Sequence, residues 1–327
     1  MGLLNVRERT VVPRGARLPL FHRPGRVALL DDDPVFRAML KGVLERSWDV
    51  LTFSRAEGLL EHLLTEIPFA AADTWVQQDL VRTFLAERGN LPAAVMHYLA
   101  RATERFGLTR ICLVDQVLEG GRLGTDVLRQ LHSHDWRGHA ALVTGQAGTT
   151  TAVQAFNEGL IQRFEQKEGP EFPLRILDFV LLAQEGGAPD TDQIWRSTLN
   201  EVQHRALTAA GVCASLGQSL RGVMAEYVVI GAPFGALGLT AAGAIAWMPL
   251  SMAGASGPAD LREFLPISEM RPVSAPGRFG DDGQLLGQVF VTSDKLPAGH
   301  PAGLDEWRAR HVALDAGFDA AISVGAS

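Results

Sequence analysis

Short runs of apolar residues, each ending in polar or charged residues, recur through the first half of the chain. Runs of this kind are typical of strands that are buried on both faces of a parallel sheet. Between the runs, apolar residues recur at helical spacing, as they do from Pro34 to Glu45. Strands alternating with helices of this length predict right-handed crossovers and an α/β fold with a covered parallel sheet. The predicted strands are residues 26–31, 49–54, 109–115, 139–144 and 160–164.

A longer helical pattern interrupts this alternation before the third strand. Ser54 is a candidate N-cap for the helix that follows the second strand and runs through Leu63. From about residue 67 to residue 106 the spacing stays helical, in two pieces that Asn90 and Pro92 separate. We therefore predict a helical insertion at 67–106. We hypothesise that its apolar faces pack against a second copy of the chain, which predicts a homodimer.

Chemically useful side chains stand where the predicted strands end. They are Asp31, Asp32 and Asp33 after the first strand, and Asp115, Thr144 and Lys167 at or after the third, fourth and fifth. The carboxyl ends of parallel strands meet at one edge of the sheet, where open α/β sheets bind ligands. Clustered carboxylates without a cation repel one another, and the pKa of at least one of them rises. The pattern therefore predicts a site for a metal ion and a phosphoryl group.

These motifs, in this order, resemble the receiver domain of two-component response regulators over about residues 26–184. The matching stretches are Val27–Pro34, Ile111–Asp115, Leu142–Gly145 and Phe164–Lys167. The resemblance implies a flavodoxin-like, five-stranded parallel sheet with strand order 2-1-3-4-5. It also implies that Asp115 accepts a phosphoryl group from a sensor histidine kinase or a histidine phosphotransfer protein.

The resemblance further implies a Mg²⁺ cofactor. Asp32, Asp115 and the backbone carbonyl of Val117 would bind the ion directly, and Asp31 would act through water. Mg²⁺ prefers oxygen ligands in an octahedron and usually keeps several waters, which suits this set. Asp33 has a plainer interpretation as a charge at a helix N-terminus.

Three other residues receive roles from the same resemblance. Lys167 would pair with Asp115 and then with the phosphoryl oxygens, and Thr144 would hydrogen-bond the phosphoryl group. Phe164 would be the aromatic side chain that changes rotamer in the switch. Without its spacing to Lys167, a plain core residue would be the better interpretation. Phosphorylation adds about −1.5 to −2 charge, enough to bias a two-state surface.

Some features depart from the family pattern. The helical insertion widens the spacing between Asp32 and Asp115, Gly124 comes about one residue later than the family's glycine, and Glu168 replaces a common cis-proline. These departures concern the geometry of the loops and the lifetime of the phosphate, and they leave Asp115 as the expected acceptor.

A Gly- and Pro-rich linker at 185–191 precedes a C-terminal domain at 192–327. Within that domain, residues 227–259 carry no charge, as a membrane span would. Prolines interrupt this stretch and its flanks lack basic anchors, so we do not favour a membrane protein.

The favoured interpretation of this stretch is a β-hairpin or a small sheet, with strands at 227–231 and 244–248. A further strand at 287–292 and a closing helix at 303–316 complete a small α+β domain, similar to a PAS-like sheet.

Composition limits the remaining classes of function. The 327 residues suffice for two domains, and the net charge is −7. From residue 190 onward 14 acidic residues outnumber 9 basic ones, which argues against a nucleic-acid surface. The N-terminal extension 1–25 has no apolar core of a signal peptide, and we expect Cys112 and Cys213 to be reduced thiols. Together these features predict a cytoplasmic protein.

Three functions stay open at this point. The favoured one is a phosphorylatable signalling protein whose receiver surface controls contacts with its C-terminal domain or a partner. The second is a receiver-fold scaffold or dimerisation module that works without phosphate, and the third is a DNA-binding regulator. The second half has no nucleophile elbow and no P-loop, so we expect no enzyme activity beyond self-phosphorylation and autodephosphorylation.

Overall fold

The first half of the chain folds around a five-stranded parallel sheet. The computed structural model describes residues 18–100, 105–145, 149–187, 189–209, 211–252 and 259–295. After a two-residue strand, β1 Phe21–His22, the sheet strands are β2 Arg26–Leu30, β3 Val50–Phe53, β4 Thr109–Asp115, β5 His139–Thr144 and β6 Arg163–Gln166. Their spatial order is β3-β2-β4-β5-β6. The flavodoxin-like order predicted from the sequence is therefore confirmed.

Helices cover both faces of this sheet. They are α1 Pro34–Leu44, α2 Ala56–Glu87, α3 Leu91–Ala100, α4 Gly124–Ser133, α5 Thr149–Asn157 and α6 Phe172–Glu185. Along β4, Ile111 and Leu113 pack with residues of α1 and α6, whereas Cys112 and Val114 pack with residues of α2 and α4. Alternate side chains of a strand point to opposite faces of the sheet. A strand that helices cover on both faces is therefore apolar throughout.

Three details differ from the sequence predictions. The fifth strand was expected at 160–164 but begins at Arg163, because the buried Leu160 and Ile161 fill the core before the strand starts. Ser54 is not the N-cap of α2; Arg55 holds that position, without a capping side chain. The helix that follows continues without a break to Glu87, with Pro68 inside it.

The second half of the chain forms an antiparallel sheet. Three helices lead into it, α7 Pro189–Arg196, α8 Glu201–Leu207 and α9 Val212–Arg221. The strands are β7 Met224–Gly231, β8 Phe234–Thr240, β9 Ala244–Met252, β10 Met270–Pro272, β11 Gly277–Phe279, β12 Leu285–Gly287 and β13 Phe290–Lys295. A second domain with helices and an antiparallel sheet is thus confirmed. The predicted closing helix 303–316 lies outside the described residues.

Both predicted strands, 227–231 and 244–248, lie in β7 and β9 of one sheet, but they do not pair with each other as a hairpin. An additional strand, β8, lies between β7 and β9 and pairs with both. The predicted strand 287–292 is also divided, into β12 and β13. Within the described ranges, no helix combines the length and the apolar character that crossing a membrane requires.

Segments from three parts of the chain build the core of the second sheet. β1, from the predicted N-terminal extension, pairs with β7. The insertion contributes buried residues such as Leu91, Val95 and Leu99, and α3 packs on β8. Much of the apolar surface that we expected to meet a second copy is therefore covered within one chain.

A buried ion pair ties the insertion to this sheet. Arg105 Nη2 lies 2.9 Å from Glu226 Oε1 and 3.1 Å from Oε2, and both side chains are buried. Arg105 Nη1 donates to the carbonyl of Tyr98 at 2.9 Å, and its guanidinium lies 4.0 Å from the centre of the Tyr98 ring. The ion pair therefore joins the region around α3 to β7.

The same polar contacts extend to α7. Tyr98 Oη donates to Asp73 at 3.0 Å, and Gln77 Nε2 donates to Asp73 at 3.0 Å. Trp195 Nε1 in turn donates to Gln77 Oε1 at 2.7 Å. We call these residues and the ion pair Arg105–Glu226 the buried polar network. Such a network stabilises one arrangement of elements only when its members are paired.

We predict that Glu226→Gln strongly destabilises the protein. The change removes the nearer carboxylate of the buried Arg105 guanidinium and leaves it only Asp73, at 3.7 Å. Breaking a buried ion pair in this way typically costs about 3–5 kcal/mol. The free energy of unfolding in urea would measure this loss. A matched control, Glu158→Gln, removes the exposed partner of Arg129 and should leave the midpoint nearly unchanged. Equal losses of unfolding free energy in the two variants would contradict the prediction. It would also be contradicted if the double variant Arg105→Met/Glu226→Met were no more stable than Glu226→Gln.

Candidate functional site

The parallel register of the first sheet brings the predicted site residues to one edge. Leu30 at the end of β2 is level with Val114 of β4, so Asp31 and Asp115 follow side by side. Asp115 in turn pairs with Val143 of β5, and Thr144 pairs with Gln166 of β6. Lys167 is the next residue, and its backbone N–H donates to the Thr144 carbonyl at 2.8 Å.

Three carboxylates gather at this edge. Asp31, Asp32 and Asp115 each offer an oxygen, and these oxygens lie within 4.8 Å of one another. Asp31 is fully buried and Asp115 is only 7% exposed. Asp33 is not part of the cluster; its Oδ1 accepts from the backbone N–H of Val35 at 2.8 Å and caps α1.

Lys167 lies between two of these acids. Its Nζ is 2.7 Å from Asp31 Oδ2 and 2.9 Å from Asp115 Oδ2. The same ammonium lies 4.3 Å from the centre of the Phe36 ring, a cation–π contact on the side of α1. The lysine is thus held at the acids by two ion pairs and an aromatic surface.

Burial and charge shift the pKa of both partners. Burial raises the pKa of Asp31 above its ordinary value, and the nearby Asp115 adds to the rise, while Lys167 opposes it. Burial alone would lower the pKa of Lys167, but its contacts with Asp31 and Asp115 outweigh burial and raise that pKa. The lysine therefore stays charged, and Asp31 carries its negative charge at a cost in free energy.

The donor set suits a small, hard divalent cation. It consists of carboxylate oxygens close enough to share one ion, and Asp32 is the most solvent-accessible of the three. One ammonium faces three acids, and burial, with a smaller contribution from Asp115, raises the pKa of Asp31. These observations fit the Mg²⁺ site that the family resemblance implies.

The loop after Asp115 is tightly constrained. The backbone N–H of Gly124 donates to the Gln116 carbonyl at 2.9 Å, and Val117 forms an isolated bridge with Leu123. A Cβ at Gly124 would lie 2.1 Å from the carbonyl oxygen of Asp115, so only glycine fits there. Gly124 therefore serves close packing against the strand end, although it comes later than the family's glycine.

The two predicted switch residues occupy different environments. Thr144 is buried at the end of β5, at the same edge as the acids. Phe164 is half-buried on β6 and packs against the core that α2, α4 and α5 share. Its position is compatible with either interpretation, a switch side chain or a core residue.

Several supporting residues were not predicted from the sequence. Arg37 Nη1 donates to the backbone carbonyl of Asp31 at 2.5 Å. The buried Glu165 accepts from Arg163 and from Arg175, each at 2.6 Å, and so secures the strand that carries Lys167. Contacts like these join distant elements, and helical or strand spacing gives no signal of them.

No protein-family model matches the sequence, and no curated protein matches it either. Among solved structures, the chain is similar to the Legionella pneumophila response regulator LqsR. The TM-score is 0.54 and the identity is 18%, over 90% of this chain and 95% of that chain. At this identity the likeness concerns the fold, and its coverage includes both sheets.

Receiver domains supply further similar structures. A CheY-like response regulator receiver domain protein from Methanospirillum hungatei JF-1 matches with a TM-score of 0.31 and 17% identity, over 50% of this chain and 96% of that chain. The signal receiver domain of an HD domain-containing protein from Pseudomonas fluorescens Pf-5 matches with a TM-score of 0.33 and 18% identity, over 50% and 96%. The similarity to the LqsR structure confirms, at the level of the fold, the resemblance predicted from the sequence.

We predict that the stability of the protein falls with rising pH as Asp31 ionises. Its pKa in the folded state is raised, so in that pH window the folded chain binds more protons than the unfolded chain, and stability decreases. Asp31→Asn should remove this fall. Unfolding in urea across mildly acidic pH, with a chelator present, would measure it. Glu158→Gln is the control, because the pKa of Glu158 is lowered and not raised. The contribution of Glu158 to the stability of the protein is therefore lost as pH falls. Parallel curves for wild type and Asp31→Asn would contradict the prediction.

Proposed function

We propose that the chain is a response regulator of a two-component system and that Asp115 is its phosphoryl acceptor. The observation that carries the proposal is the double contact of Lys167 with Asp115 and Asp31 beside a third acid. A lysine that only stabilises the fold needs one carboxylate partner. Phosphoryl transfer to a carboxylate instead needs a charged group that can pair with the phosphoryl oxygens once they are bound. The receiver fold agrees with this use of the edge.

The proposed reaction is a transfer from a phosphohistidine on a sensor kinase or a histidine phosphotransfer protein. A carboxylate oxygen of Asp115 attacks phosphorus, the phosphorus–nitrogen bond breaks, and the imidazole nitrogen keeps the electron pair and takes up a proton from solvent. Asp115 becomes an acyl phosphate. Lys167 then exchanges the Asp115 oxygen for a phosphoryl oxygen, because the phosphoryl group carries the greater charge.

Asp31, Asp32 and Asp115, with the backbone carbonyl of Val117, are the residues that would hold Mg²⁺. When bound, the ion supplies the charge neutralisation that lets an anionic donor approach a cluster of acids. Asp31 contributes from a buried position and Asp32 from an accessible one. This difference fits the expectation that the ion keeps water ligands on its solvent side.

The proposed switch begins at Thr144 and Phe164. A hydrogen bond from the Thr144 hydroxyl to the phosphoryl group would draw the following loop toward Asp115. The helix after that loop, α5, carries Val153 at 58% and Phe156 at 45% exposure. Exposed apolar side chains next to a switch are suited to a contact that phosphorylation controls.

We predict that the full chain gains one phosphoryl group from acetyl phosphate in the presence of Mg²⁺. Intact-mass spectrometry would detect it, and peptide mapping should place it on Asp115. Asp115→Asn and removal of Mg²⁺ should each abolish the gain. Asp126→Asn, an exposed acid on α4, is the matched control and should be labelled like the wild type. Labelling of Asp115→Asn, or labelling that survives a chelator, would refute the proposal.

A second candidate is a dimerisation module that works without phosphate. The exposed apolar pair on α5, Val153 and Phe156, favours it.

The dimer fraction distinguishes this candidate from the proposed phosphate-dependent function. If phosphorylation controls the contact, we predict that beryllofluoride with Mg²⁺ raises the dimer fraction of the wild type and not that of Asp115→Asn, as measured by light scattering. Val153→Ser/Phe156→Ser should lower it in both. If wild type and Asp115→Asn form the same dimer with or without beryllofluoride, the phosphate-independent function is the better one.

A further inference from the structure

The helices α2 and α3 form an open groove between them, beside the core of the second sheet. Its volume is about 420 Å³, and Leu80, Phe84 and Tyr98 contribute to its walls. Trp75 stands at its margin with 63% of its surface exposed. Other faces of the two helices bury Val81 and Val95 in the core of the second sheet. The groove is therefore apolar surface that the described part of the chain leaves uncovered.

The charge of the groove limits what can occupy it. Its lining includes the acids Asp79 and Glu87 but neither a lysine nor an arginine. Arg82 pairs with Asp79 at 2.5 Å, yet its own side chain is 80% exposed and points into solvent. If a second copy docked through the same groove, its Asp79 and Glu87 would approach the Asp79 and Glu87 of the first copy. Opposed like charges disfavour such an interface. The groove therefore fits an apolar helix with a basic margin.

We propose that this groove binds the chain's own C-terminal segment, residues 303–316, as an amphipathic helix. In helical spacing, Leu304, Trp307, His311 and Leu314 fall on one stripe. Arg308 and Arg310 flank that stripe on opposite sides, whereas Asp305 and Glu306 fall on the far face. Asp315 flanks only the final turn.

The distance along the chain permits this contact. The last described residue, Lys295, is level with Ala244 of β9, and β9 is the neighbour of β8, on which α3 packs. Two strand spacings amount to about 10 Å. Residues 296–303 are eight residues, which reach about 27 Å when extended. Eight extended residues are therefore long enough for the segment to reach α3.

Two arginines and two acids make the proposal testable by charge reversal. Hydrogen exchange of the full chain should show the amides of 303–316 slowed at least about tenfold relative to an unstructured peptide. Asp79→Lys/Glu87→Lys should remove that protection, and so should Arg308→Glu/Arg310→Glu. Combining both pairs should restore it. All four positions lie outside the phosphoryl site, so labelling of Asp115 is unaffected.

A charge-matched control keeps the experiment decisive. Glu57→Lys/Glu61→Lys adds the same charge to α2 outside the groove and should leave the protection unchanged. Three outcomes would each overturn the proposal: exchange of 303–316 at unprotected rates in the wild type, protection that the groove variants do not change, or protection that grows with concentration alongside a dimer mass. The last outcome would assign the groove to a second copy.

Discussion

A single ammonium group placed between buried carboxylates is the constraint on which the functional edge of this protein depends. The parallel register forces Asp31 and Asp115 to follow neighbouring strands, so their repulsion is built into the fold. Lys167 offsets it through contacts of 2.7 and 2.9 Å, and its position depends in turn on Glu165 and on the backbone bond to Thr144. The offset is incomplete, because three acids face one lysine. That surplus of negative charge would favour a bound cation, which is the physical basis of the proposed Mg²⁺ site.

The second constraint is that the two cores share one helix. α2 has 32 residues, which corresponds to about 48 Å. Its first turns bury Leu59, Leu60 and Leu63 under the parallel sheet, and its later turns bury Val81 under the antiparallel sheet. Through Asp73 and Gln77, the buried polar network joins the middle of this helix to β7 and α7. The insertion that separates the receiver motifs in the sequence is therefore also a structural part of the second domain.

The sequence predicted those elements whose burial leaves a continuous pattern. β4 and β5 were predicted at their observed bounds because both faces of each strand are covered, which leaves unbroken apolar runs. β8 was missed because Gly235 and Gly238 weaken its strand pattern. Glycine is required at both positions because neighbouring atoms leave no room for a Cβ. A Cβ at Gly235 would lie 2.3 Å from the Trp247 ring, and one at Gly238 would lie 2.2 Å from the Glu226 carbonyl oxygen. The site residues were predictable because they occupy strand ends, whereas Arg37 and Glu165 act through contacts between distant elements.

The connection between the two cores also offers a route by which the proposed phosphorylation of Asp115 would affect the second sheet. The first residue of α4, Gly124, bonds to the carbonyl of Gln116, so α4 starts from the loop that follows the acceptor. α4 packs against α2, and α2 carries Asp73 and Gln77 of the buried polar network. A shift of the acceptor loop would therefore act on a helix that buried hydrogen bonds also join to the second sheet. Because paired buried groups are costly to separate, the network would hold this part of α2 against β7 and α7 during such a shift.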